Sequence, residues 1–147
     1  MKMLFRLIAM VFLLCTITIA FAQDKAISFS NLPDKAKTFL KKYFSGAEII
    51  TITMDTEYIF KKEYEVVLKS GSKIEFDSDG IWEKIKMKGM AVPVQIIPST
   101  ISQYIRKSFP NTFVKEIIRE RKGYEVEISN GLDLEFSREG EFIRVDD

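Results

Sequence analysis

The chain has 147 residues, with 22 basic side chains against 21 acidic ones and 46% hydrophobic residues. That balance lacks the basic excess of a nucleic-acid binder, and the length suits one compact domain or two very small units sharing a core. Histidine is absent, which excludes histidine-based acid–base chemistry, Ser-His nucleophiles and His-ligated zinc.

The first element in the chain is a leader. Lys2 and Arg6 precede an uncharged run of seventeen residues, 7–23, and the first acid is Asp24. Ala20-Phe21-Ala22 places small residues at the minus-three and minus-one positions of a cut before Gln23. This is the pattern of a secretory signal peptide over residues 1–22. A run of that length also sits at the short limit of the roughly 17–25 residues that span a bilayer. The cleavage site decides for a removed signal, a periplasmic or secreted protein, and no stable membrane insertion afterwards. Lipid attachment at Cys15 stays open as an alternative, though Leu14 stands where a small residue is expected. Cleavage leaves 125 residues, with 20 basic side chains against 21 acids, a charge of −1 and no cysteine. Packing, not disulfides, must then hold the fold.

A helix comes next. Leu32, Ala36, Phe39, Leu40, Tyr43 and Phe44 share one helical face, Pro33 suits the first turn, and Gly46 lies past the end. Strands follow at Ile49–Met54, at Tyr64–Leu68, at Ile74–Phe76 and at Ile81–Met87, the middle two showing period-two alternation. A connector with Gly89, Pro93 and Pro98 leads to a second helix bearing Ile97, Ile101, Tyr104, Ile105 and Phe109 on one face. Further strands are predicted at Phe113–Glu120, at Tyr124–Ile128, at Leu132–Phe136 and at Glu141–Val145.

The second set repeats the first. Leu32–Phe44 matches Ile97–Phe109 at an offset of 65, and Tyr64–Trp82 matches Tyr124–Phe142 at an offset of 60. The elements predict an α+β fold, a tandem repeat of one helix plus about four antiparallel strands, with residues 23–88 as the first repeat and 89–147 as the second. The helices cover the apolar face of the sheet and leave the other face open.

Parity of the apolar positions restricts strand register. A three-residue loop, Ser129-Asn130-Gly131, pairs Ile128 with Leu132 and Val126 with Leu134, and Lys69-Ser70-Gly71 does the same in the first repeat. In the next hairpin, pairing Phe136 with Ile143 sets Leu134 against Val145 and Glu135 against Arg144. The same register sets Ile74 against Ile85 and Glu75 against Lys84, leaving Ser78-Asp79-Gly80-Ile81 as the connection. Asp77 and Asp79 before Gly80 are weak metal candidates. They supply too few ligands for a calcium loop and lie between strands, and the glycine is explained by the turn.

The segments "LPDKAKTFLKKYF", "YEVVLKSGSKIEFDSDGIWEKI", "IPSTISQYIRKSFP" and "GYEVEISNGLDLEFSREGEFIRV" resemble the PepSY-like periplasmic proteins of Bacteroidetes. The resemblance implies the fold of the beta-lactamase inhibitory protein, with tandem units forming one curved sheet. No catalytic residues carry over from it, no cofactor is expected, and it suggests inhibition or regulation of an envelope enzyme. Some members are labelled calcium-regulated, which keeps a cation-responsive protein as the alternative.

On the open face Glu65 lies opposite Glu75, which lies opposite Lys84. Glu125, Glu135 and Arg144 repeat this, Glu127 faces Asp133, and Glu63 faces Asp77. A solvated charge ladder accounts for these groups, and an acidic stripe for a basic partner is the sharper reading. A flat face offers no cleft to split carboxylate pKa values, so hydrolase activity is not expected. In the same register Trp82 and Phe142 point outward, as apolar anchors for an unidentified envelope protein. A bulge near Gly80 would instead turn Trp82 into the core.

Overall fold

The structure, a computed structural model, describes residues 24–57 and 61–146; the expected leader and Cys15 lie outside them. A two-residue strand β1 (Lys25–Ala26) and a 3-10 turn (Phe29–Asn31) precede helix α1 (Asp34–Tyr43). Strands β2 (Ile49–Glu57), β3 (Lys61–Leu68), β4 (Lys73–Phe76) and β5 (Trp82–Lys86) follow. Helix α2 (Ser99–Ser108) leads to β6 (Val114–Arg119), β7 (Gly123–Ile128), β8 (Asp133–Ser137) and β9 (Phe142–Asp146). The nine strands form one open sheet in chain order, each antiparallel to the next. The fold class is therefore α+β, with one addition: nothing in the sequence pattern marks β1.

Both helices begin on proline, Pro33 and Pro98, where a missing N–H costs no intrahelical bond. Each ends on basic residues, Lys41 and Lys42 or Arg106 and Lys107, which suit the negative end of the helix dipole. Their apolar stripes meet one sheet face. Ala36 and Leu40 of α1, and Ile101 and Ile105 of α2, are buried with Val66, Ile74, Phe76, Ile85, Ile117, Val126, Ile128, Leu134 and Phe136 in a single core. Phe39 stands edge-on to Phe76 and Tyr104 edge-on to Phe136, each at 5.7 Å between ring centres. One helix layer on one sheet face leaves the opposite face uncovered.

The expected registers appear at most positions. Val66 pairs with Ile74 and Val126 with Leu134, and the connecting turns close through Leu68 N–H to Ser72 O and Ile128 N–H to Leu132 O. Glu65 pairs with Glu75, Glu75 with Lys84, Glu125 with Glu135, Glu127 with Asp133 and Glu135 with Arg144. The β3–β4 ladder stops at Tyr64–Phe76, short of the expected Glu63–Asp77 pair.

One register is corrected. The ladder shifts between Glu75 and Phe76, and again between Glu135 and Phe136, so Phe76 pairs with Trp82 and Phe136 with Phe142. A bulge puts two residues of one strand opposite one residue of the other and turns the side chains by one position. Trp82 and Phe142 therefore do not point outward as the unbulged register requires. Both are half-buried against the core. Phe142 stacks on Tyr104 at 4.5 Å and 13°, and the Arg119 guanidinium lies over the Trp82 ring at 5.0 Å.

Candidate open-face docking site

The residues expected to line the open face arrive there on β3, β4 and β5, and on β7, β8 and β9. The glutamates among them line two shallow concavities, which Lys84 and Arg144 do not line. One, of about 170 Å³, is lined by Asp24, Asp55, Glu63, Glu65, Glu75 and Glu83. The other, of about 240 Å³, is lined by Glu116, Glu125, Glu127, Asp133, Glu135 and Asp146. Lysine and arginine side chains answer several of these carboxylates. Lys73 reaches Glu65 at 2.9 Å, Lys84 and Lys86 reach Glu116 at 3.1 and 2.5 Å, Arg144 reaches Glu135 at 2.6 Å, and Lys115 pairs with Glu127.

Glu116, on the wall of the second concavity, was not singled out from the sequence. It is 8% exposed and held between Lys84 and Lys86 on the neighbouring strand. Burial pushes its carboxyl up, but hydrogen bonds from Lys86 and Lys84 outweigh that and leave it below the ordinary range. Glu75 goes the other way. Burial raises its carboxyl, Lys84 and Lys73 oppose this, and Glu65 and Glu63 add to the rise. Glu125 is also raised, by burial first and then by Glu120, Glu135, Asp146 and Asp133. The face is thus an acidic surface with one doubly bridged carboxylate in its second concavity.

Asp77 is accounted for by its turn. Its Oδ1 accepts the N–H groups of Asp79 at 2.9 Å and Ile81 at 2.8 Å, while Gly80 takes φ +76°. In the second hairpin the Ser137 hydroxyl accepts from Glu139 and Glu141, each at 3.2 Å, and Gly140 takes φ +82°. A carboxylate and a hydroxyl do the same local work. Asp77→Ala is expected to lose about 1–2 kcal/mol of stability. Asp77→Ser should recover more than half of that in chemical denaturation. Equal losses in the two variants would mean the turn does not depend on this acceptor.

The fold is an α+β sheet with one helix-covered face and one open face lined by carboxylates. The family model of PepSY-like proteins, described as beta-lactamase-inhibitor-like, matches residues 62–144. The chain belongs to this PepSY-like family. It is similar to a solved periplasmic protein of the DUF2874 family from Bacteroides vulgatus, at 35% identity and a TM-score of 0.81, over 85% of this chain and 98% of that one. A second solved structure, of a Bacteroides thetaiotaomicron periplasmic protein described as calcium-regulated, shares 36% identity at a TM-score of 0.81, over 84% and 97% of the two chains. A third, a Bacteroides vulgatus periplasmic protein of unknown function, shares 32% identity at 0.80, over 85% and 100%. Among curated proteins none matches. The protein is periplasmic, as these relatives are. No helix among the described residues is long and apolar enough to cross a membrane.

Proposed function

We propose that this is a non-catalytic binding module whose open sheet face docks a protein partner through basic side chains, and so inhibits or regulates an envelope enzyme. In this reading residues 1–22 are a removed signal, and residues 23–88 and 89–147 are tandem units that each contribute half of the face. Glu65, Glu75 and Lys84 in the first unit, and Glu125, Glu135 and Arg144 in the second, form the contact surface. Trp82 and Phe142, half-buried against the core, are left out of it.

The observation that carries the reading is the charge of the face. Six of the nine residues lining each concavity are carboxylates, so a basic surface is the complement. The concavities are shallow, whereas paired carboxylates do acid–base work only in a site that excludes water and separates their pKa values. The test is capture from envelope extract by the tagged chain from Gln23 onward. One stoichiometric protein is expected, released by roughly 0.5 M salt and lost in a Glu75→Lys/Glu135→Lys double variant. Retention by the reversed face, or capture of nothing, would remove the proposal.

Glu75 supplies a check that needs no partner. A carboxyl held above its ordinary range favours the fold while protonated. Its contribution is full below the unfolded pKa and is lost as pH rises through the folded one. Glu75→Gln should therefore match the parent near pH 4 and exceed it at neutral pH by a few tenths of a kcal/mol, the scale of like charges paired across strands. A variant less stable than the parent at neutral pH would mean that the attraction of Lys84 for Glu75 outweighs its burial and the repulsion of Glu65 and Glu63.

A second reading, a cation-responsive protein, has separate support. One solved relative is described as calcium-regulated, and Asp55 Oδ1 is buried without a hydrogen-bond partner beside Glu63, Glu65 and Glu75. Against it, no group of three or more acidic side chains among the described residues is arranged to hold a metal ion. A calcium-dependent rise in melting temperature that Asp55→Asn abolishes would make this the better reading.

A further inference from the structure

One end of the molecule carries the opposite charge to the open face. Both helices finish there, and the Lys69–Gly71 and Ser129–Gly131 turns and residues 88–98 lie against them. Lys69 N–H donates to Glu48 O, Ser129 N–H to Phe113 O and Val92 N–H to Val114 O, each at 2.8 Å. Two apolar grooves meet at Ala91. One is bounded by Tyr43, Lys69 and Met90, the other by Val94, Arg106 and Phe113. The helix starts are at the far end, packed on Gly80 and Gly140.

The segments 40–50, 68–72, 88–98, 105–114 and 128–132, which build this end, contain six cations and one acid. The cations are Lys41, Lys42, Lys69, Lys88, Arg106 and Lys107, all exposed. The acid, Glu48, is bound by Lys69 at 2.7 Å. Among them stand Met90, Val94 and Phe113, which are 48%, 60% and 44% exposed. A cluster of large apolar side chains left in water among exposed cations, only one of them met by a carboxylate, marks an interaction surface.

We propose that this end docks the protein peripherally on an anionic phospholipid surface. Protruding apolar groups enter the boundary between headgroups and acyl chains, and the surrounding cations meet lipid phosphates. Lipid is favoured over an acidic protein because the attraction rests on exposed charge and protruding apolar groups. Of the six cations, only Lys69 has a carboxylate partner among the described residues. The acidic sheet face is repelled by the same surface and takes no part in this docking. The proposal is independent of the open-face reading.

Vesicle flotation tests it with the chain from Gln23 onward, since the sheet and helices lie within residues 24–146. The chain is expected to float with phosphatidylcholine vesicles carrying phosphatidylglycerol at roughly 0.1 M salt, to dissociate at roughly 0.5 M, and not to float with pure phosphatidylcholine. Lys88→Glu/Arg106→Glu should weaken binding about tenfold or more. Val94→Asp/Phe113→Asp should weaken it comparably without lowering the melting temperature. Glu75→Gln should leave flotation intact, which separates this surface from the open face. The proposal is overturned by no flotation on anionic vesicles, by equal flotation on neutral ones, or by flotation that survives either pair of substitutions. Capture of an acidic protein through Arg106, with no flotation, would also overturn it.

Discussion

Replacing Trp82 with alanine is expected to cost about 3 kcal/mol and to lower the melting temperature by roughly 10 °C. Trp82 is paired across the sheet with Phe76, one of the most deeply buried side chains, and packs against the core while Arg119 covers its outer surface at 5.0 Å. Alanine would remove the ring and leave a void that a sheet pinned on both sides cannot close. It would also strip Arg119 of its cation–π partner, a further loss of about 0.5–1 kcal/mol. Phe142→Ala should behave alike, because Phe142 stacks on Tyr104 and stands edge-on to Phe136 at 5.9 Å. The parent's tryptophan emission should be blue-shifted and move red on unfolding. A Trp82→Ala protein that melts within a degree of the parent would return Trp82 to the role of an exposed anchor.

Why the outward placement failed is instructive. Parity worked where apolar and charged residues alternate without ambiguity, as in Tyr124-Glu125-Val126-Glu127-Ile128, and where a glycine closed the turn, as at Gly71 and Gly131, with φ of +84° and +88°. It failed at Ile81-Trp82 and at Phe142-Ile143, where two apolar neighbours offer the core a side chain in either register. The bulge chooses the aromatic, which fills the space beside Phe76 or Phe136, and leaves Ile143 56% exposed. Ile117-Ile118 hides Glu116 in the same way. The β6–β7 ladder shifts between Val114 and Glu116, so Val114 reaches the core while Glu116 faces Lys86. Single residues such as Glu75 and Glu135 could be assigned to the open face from alternation alone. The concavities could not, because Asp24 and Asp55 join one from outside the β3–β5 strands, and Glu116 joins the other from β6. β1 is two residues long, too short to carry any period.

Gly123→Ala should be more damaging than its conservative size suggests, at about 3 kcal/mol or more, the upper range for forcing a methyl group into a packed site. Gly123 opens β7 and pairs with Ser137, next to the position where β8 meets the bulge of β9. A Cβ built on it would lie 1.9 Å from the carbonyl oxygen of Phe136 and 3.0 Å from its carbonyl carbon. The obstacle is backbone, so no rotamer relieves it. β7 and β8 would have to separate at the pair next to Phe136, whose ring meets Tyr104 and Phe142. The damage should therefore spread to the α2 contact rather than stay at the strand end. Gly46→Ala is the matched control, because nothing lies within 4 Å of a Cβ there. It is expected to change stability by less than about 0.5 kcal/mol. Urea denaturation of the two variants against the parent measures both numbers. If Gly123→Ala unfolds at the same midpoint as Gly46→Ala, β7 and β8 can part at this pair without disturbing the core, and the close approach of their backbones is not what holds Phe136 in place.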